Sequence, residues 1–131
     1  MTPKEIEAAL RQYFYTNWDA TPVAWPNRDY TPTTGTAWVR FYPVLGDTFS
    51  DEVGGTGGEA GHRNLVLKIQ VFTPLDSGTV AGADLAGQIE SLFRRQNISG
   101  VYIDEPYTNY NGSDGAWYQQ TVNIPGWAWV N

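Results

Sequence analysis

The segment NLVLKIQVFTP, residues 64–74, narrows the possible folds of this chain more than any other stretch. Leu65, Leu67, Ile69 and Val71 alternate with Val66, Lys68, Gln70 and Phe72, so a period of two yields one wholly apolar face and one mixed face. That is the pattern of a central strand in a sheet covered on one side. Pro74 ends it, and DSGTVAGADLAGQIESLFRRQNI then changes to helical spacing through Val80, Ala81, Leu85, Ile89, Leu92 and Phe93, with Thr79 or Ser77 as cap. Gly82 and Gly87 each cost about 1 kcal/mol against alanine in a helix, which is expected where a helix backbone comes close to a sheet. Arg94 and Arg95 are assigned to the last helical turn, where positive charge complements the dipole.

The other segments supply the partners of that strand. Thr2, Pro3 and Glu5 form a capping-box sequence, and Ile6, Ala9, Leu10, Tyr13 and Phe14 recur on one face, predicting a helix from Pro3 to Asn17. From Asp19 to Thr36 three prolines, a glycine and six threonines or asparagines predict an extended connector. AWVRFYPVLGDTF reads as a strand, with Pro43 placing it on an edge or at a bulge. A hairpin is expected from VYIDEPYTNY, turn residues NGSDG, and AWYQQTVNI, with WAWVN following Pro125 and Gly126. The resulting expectation is an α+β fold: a single domain over residues 1–131, a mostly antiparallel sheet with both helices on one face, and a long Gly-rich loop at about 46–63.

Composition sets the excluded classes. At 131 residues and 41% hydrophobic content, one domain with a radius of gyration of about 14 Å is expected. A net charge of −6 disfavours binding driven by counterion release from nucleic acid. The absence of cysteine removes disulfides and thiolate chemistry. Lys4, Glu5, Glu7 and Arg11 interrupt the apolar run a secretory signal needs, and LVLKIQVF is far short of the roughly 20 residues of a membrane span, so a soluble protein is expected.

Catalytic readings fare poorly. His62 is the only histidine, and the loop reading gives it no rigid support and only Glu59 as a nearby acid. One histidine without cysteine makes zinc a poor fit. The cluster GGTGGEAGH lacks the helix and the lysine that a phosphate loop requires. Asp104 and Glu105, as neighbours on a strand, would point to opposite faces and could not flank one glycosidic bond, while Asp51 and Glu52 belong to the loop. DSGTVAGAD lacks calcium-loop spacing, and NYNGSDG reads as a turn.

Aromatic content is the compositional anomaly, at 15% with six tryptophans. Trp127 and Trp129, two apart on a strand, would share a face about 7 Å apart. They suit either a subunit contact or, with Trp117, a sugar-stacking platform.

Several segments in order, IEAALRQYF, TPVAWPNRDYTP, GTAWVRFYPVLGDT, a Gly-rich loop ending GHRN, and LVLKIQVFTPLDSGTVAGADLAGQIESLFRR, resemble the small tail terminator (tail-completion) proteins of long-tailed bacteriophages, the lambda-like minor tail proteins. The likeness runs from about Ile6 to Ile103. The resemblance implies a non-enzymatic virion protein without cofactor or metal. It implies a hexameric ring at the head-proximal end of the tail, assembled in the host cytoplasm. That ring would stop tube polymerisation, contact the tail tube protein and present a docking surface to the head connector or neck protein. DNA would pass through without specific binding, and acids such as Asp51, Glu52, Glu59 or Asp104 would keep the channel repulsive. Another neck or head-completion ring protein, an aromatic carbohydrate-binding module and a His62 hydrolase are the rival readings. The glycine-rich loop, about 30 Å in reach, is expected to act as an assembly arm. Candidate interface residues are Phe49, Asp51, Glu52, Val53, Glu59, His62, Arg63, Trp127 and Trp129.

Overall fold

Helix α1 (Pro3–Asn17) forms where the amino-terminal signals place it. Thr2 Oγ1 accepts from the Glu5 N–H and the Glu5 carboxylate accepts from the Thr2 N–H, so two otherwise orphaned donors are satisfied. The Glu5 carboxyl is held below its ordinary value of 4.5 first of all by the backbone N–H of Thr2. Ile6, Leu10 and Phe14 form the buried face of the helix. The structure, a computed structural model, describes residues 1–50, 61–76 and 78–130.

The remaining elements are β1 (Val23–Ala24), β2 (Trp38–Ser50), β3 (Gly61–Pro74), α2 (Val80–Phe93), β4 (Asn97–Ile98), β5 (Val101–Ile103), β6 (Tyr107–Asp114) and β7 (Trp117–Trp129). Among the described residues the strands form one sheet in the order β1-β2-β3-β7-β5-β4, with β6 also paired to β7. All pairings are antiparallel except β1 with β2. Strand β3 is central, between β2 and β7, as its alternation demands. Strand β7 is the shared spine: β3 pairs along its whole length, β6 with residues 117–123, and β5 with residues 126–128.

Both helices lie on one face of the sheet, where Ile6, Leu10, Phe14, Ala86, Ile89 and Phe93 pack on Val39, Phe41, Leu65, Leu67, Ile69, Val71, Val122, Ile124 and Ala128. Phe14 is at the centre, with ring centroids 5.9 Å from Phe41 and 6.0 Å from Phe93. Two glycines permit close packing here. A Cβ on Gly82 would lie 2.3 Å from Gln120 Nε2, and one on Gly126 would lie 2.6 Å from the Tyr102 carbonyl oxygen. Gln120 is fully buried beneath α2, and neither of its amide atoms has a hydrogen-bond partner among the described residues.

Six local expectations change. Strands β2 and β3 continue to Ser50 and from Gly61, so residues 46–50 and 61–63 are strand rather than loop, with a bulge between Leu45 and Thr48. Helix α2 ends at Phe93, which makes Arg94 its C-cap instead of part of its last turn. Arg94 reaches Glu90 and Glu105, and Arg95 reaches Glu105, so side-chain pairing rather than the helix dipole occupies both guanidinium groups. Gly87 has nothing near the place a Cβ would take, because it faces away from the sheet. The hairpin turns at Gly115, the last residue of NGSDG, and Ala116, because β6 absorbs a bulge between Tyr110 and Gly112 and pairs on to Asp114. Finally, β7 runs unbroken through Pro125, where its partner changes from β6 to β5 and a missing N–H costs little. The connector, in turn, includes β1, and Trp25 within it packs against Phe14 and Phe41.

Candidate functional site

With both helices on one side, the opposite face of the sheet has only partial cover. Alternation along the paired strands places even-numbered residues of β3 and odd-numbered residues of β7 on this open face. At one end Trp38 stacks on Phe72 at 4.0 Å, with Tyr30 of the connector and Trp117 against Trp38. Arg40 lies over both the Trp38 and Phe72 rings, 5.7 and 5.5 Å from their centroids.

Two cross-strand rows follow. One is Arg40, Gln70, Thr121 and Asn109; the next is Tyr42, Lys68, Asn123 and Tyr107. Their polar groups bond laterally: Asn123 Nδ2 donates to Asn109 Oδ1 at 2.6 Å, and Thr121 Oγ1 donates to Asn111 Oδ1 at 2.7 Å. Tyr42 and Tyr107 are both more than half exposed. Val44, Val66 and Pro125 make the third row.

The far end is aromatic. Tyr102 stacks on Trp127 at 4.6 Å, His62 meets Trp127 edge-on at 6.0 Å, and Phe49 stacks on His62 at 5.5 Å. Trp129 closes the group, and His62, Asn64, Trp127 and Trp129 line a groove of about 280 Å³. The structure therefore brings together Phe49, His62, Trp127 and Trp129. Arg63 departs from that group: paired with Thr48 and Ala128, it points to the helix side, and its guanidinium donates to the Gly46 carbonyl at 3.3 Å. Asp51, Glu52, Val53 and Glu59 lie outside the described residues.

This geometry bears on the chemical readings. His62 is a strand residue wedged between rings, not a loop residue. Trp127 and Trp129 share a face as predicted, but their planes cross at 86° with centroids 5.1 Å apart, so they offer no flat pair on which a sugar could stack. Trp117 belongs to the cluster at the opposite end of β7. Asp104 and Glu105 lie between β5 and β6 rather than on a strand, and Glu105 is bound to Arg95 and Arg94. Among the described residues no group of three or more acids or histidines is placed to hold a metal ion, and no helix is long and apolar enough to cross a membrane.

Residue-type reasoning missed Arg40, Tyr42, Lys68, Tyr102 and Tyr107 as parts of this face. The mixed side of β3, with Lys68 and Gln70 between Val66 and Phe72, was the available signal. It shows its meaning only once both helices are known to lie on the other side.

Comparison with known proteins gives the family. A family model described as phage tail terminator protein matches residues 5–125. No curated protein matches the chain. One solved structure, 20% identical, aligns over 100% of this chain and 97% of its own with a TM-score of 0.69, a likeness of fold. With the family pattern running from α1 into β7, the chain belongs to the phage tail terminator family and is a structural component of a phage tail.

Proposed function

We propose that this protein closes the tail tube as a hexameric ring at its head-proximal end, stops further polymerisation of the tube protein, and offers the surface on which the head connector docks. The observation that carries this reading is the open sheet face. Tyr42, Val44, Phe49, Tyr107 and Trp129 all retain between 39% and 54% of their surface exposed, on the side away from both helices. Large apolar surfaces concentrated in this way mark contacts with other proteins. Phe49, His62, Trp127 and Trp129 supply aromatic contact area with few side-chain rotations to freeze, which favours them as interface anchors. Asp51, Glu52, Val53 and Glu59 complete the interface in this reading, and Arg63, on the helix side of β3, would serve a contact at that other face. The net charge of −6 fits a ring through which DNA passes without being held.

Two measurements test the proposal together. Light scattering gives the mass of the purified protein alone and with tail tube protein, and electron microscopy gives tube lengths when tubes grow in its presence. A sixfold mass and arrested tubes are expected. A chain that stays monomeric in both mixtures, beside tubes of unchanged length, would remove the proposal.

A further inference from the structure

The charge of this protein is unevenly distributed. The three middle rows of the open face, from Arg40 to Val44 across β2, β3, β7 and β6, contain Arg40 and Lys68 and no carboxylate. Two acids border these rows: Asp29 of the connector, which with Arg28 lines a groove shared with Arg40 and Tyr42, and Asp114 at the hairpin tip, accepting from Gln119 Nε2 at 3.3 Å. Because the whole chain is −6, removing those two cations leaves −8 for everything else. The face is also apolar, through Tyr42, Val44, Val66 and Tyr107.

A surface of opposite character lies where β3 turns into α2. From Pro74 to Phe93 the sequence has Asp76, Asp84 and Glu90 and no lysine or arginine. Leu75 and Val80 are 42% and 80% exposed beside these acids. Asp84 accepts only from the neutral Gln88 amide among the described residues, and Asp76 makes no ion pair among them.

We infer that the open sheet face of one copy docks on the surface carrying Leu75, Asp76, Val80 and Asp84 of a second copy, with Arg40 and Lys68 meeting Asp76 and Asp84. Charge selects this arrangement over face-to-face pairing, which would set Arg40 and Lys68 of two copies against each other. A contact between two different patches is heterologous, and heterologous contacts generate rings when the rotation closes. The inference rests on the ring reading and names its contact surfaces. Nucleic acid is the weaker occupant, because two cations release few counterions and the remaining −8 repels the backbone.

The test is a charge swap read by light scattering across a dilution series. All four side chains lie at the surface or half-buried, and circular dichroism confirms that each variant is folded. R40E/K68E alone and D76K/D84K alone should each raise the concentration needed for assembly by about tenfold or more, since like charges then meet across the contact. An equimolar mixture should recover assembly, because each variant then presents its neighbour with the complementary charge. Added salt should weaken the wild-type oligomer.

If both variants assemble as the wild type does, the inference falls and the ring stands. A mixture that fails to recover assembly also overturns it, because that surface is then not the partner. A wild type that never assembles, alone or with tube protein, removes the ring and the inference together. A single-stranded oligonucleotide whose binding is lost in R40E/K68E while that variant still forms rings would reassign the face to nucleic acid.

Discussion

Gly126→Ala and Gly87→Ala should move stability in opposite directions, although the chemical change is identical. At Gly126 the new Cβ would lie 2.6 Å from the Tyr102 carbonyl oxygen and 3.0 Å from Ile103 Cδ1. Ordinary carbon–oxygen approaches between strands are about 3.3–3.6 Å, so the contact is short by about 0.7 Å or more. The blocking atom is backbone, and no side-chain rotation can move it. Strand β5 must retreat from β7, weakening the Tyr102↔Trp127 and Ile103↔Gly126 pairings. Overpacking of this kind costs about 1–3 kcal/mol. With an unfolding entropy of about 2.1 cal/mol/K per residue, this chain has roughly 0.28 kcal/mol/K at its midpoint, so Tm should fall by about 4–11 °C.

At Gly87 nothing lies near the new atom, the site is exposed within α2, and alanine's advantage in a helix is about 1 kcal/mol. Its Tm should rise by about 3–4 °C. Far-UV circular dichroism at one fixed protein concentration measures both, since assembly would otherwise shift the midpoint. Tryptophan emission should change in Gly126→Ala alone, because Tyr102 stacks on Trp127. Equal shifts of the same sign would refute the claim that close approach of β5 requires Gly126.

Gln120→Met, which keeps the volume and removes two unpaired polar atoms, should stabilise the fold by about 1–2 kcal/mol in urea unfolding; a loss of stability would show that Gln120 has a partner worth keeping. Thr2→Ala removes one half of the capping box and should cost about 1 kcal/mol, read from the same transition. Glu105 is held below its ordinary value of 4.5, first by its hydrogen bond from Arg95 and then by Arg94. A depressed folded pKa contributes stability above the unfolded value and loses it as pH falls through the folded one. Glu105→Gln should therefore be less stable than wild type at neutral pH, with the difference shrinking as pH drops below about 4.5; a gap that is constant from pH 7 to pH 3 would contradict this.

The elements that local chemistry specifies were legible in the sequence. Helix α1 has its cap, its proline and its apolar stripe in fifteen consecutive residues, and β3 carries its face assignment in strict alternation. Gly82 was readable because a helix tolerates an interior glycine only for a reason, and that reason is Gln120 beneath it. Gly87 sent the same signal without the same cause, since exposure cannot be inferred from one residue. The facing ends of β2 and β3 were misread as loop because Gly46 and Gly61 lower strand propensity, whereas cross-strand pairing with partners 11 to 15 residues away decides the matter. Among the candidate interface residues, Phe49, His62, Trp127 and Trp129 were found by type. That Arg63 turns the other way follows from a register that only the bulge at Leu45/Thr48 and the pairing with Ala128 define.

The position of β7 has a consequence for biogenesis. Strand β7 follows the other described strands in the sequence yet is inserted in the interior of the sheet, and its pairings join Pro74 to Trp117 and His62 to Trp129 across long stretches of chain. Closure of this sheet therefore waits until β7 has been made, and loop-closure entropy makes such a topology slow to fold. Until then β3 exposes an unsatisfied edge, and nascent chains are vulnerable to sticking to one another there.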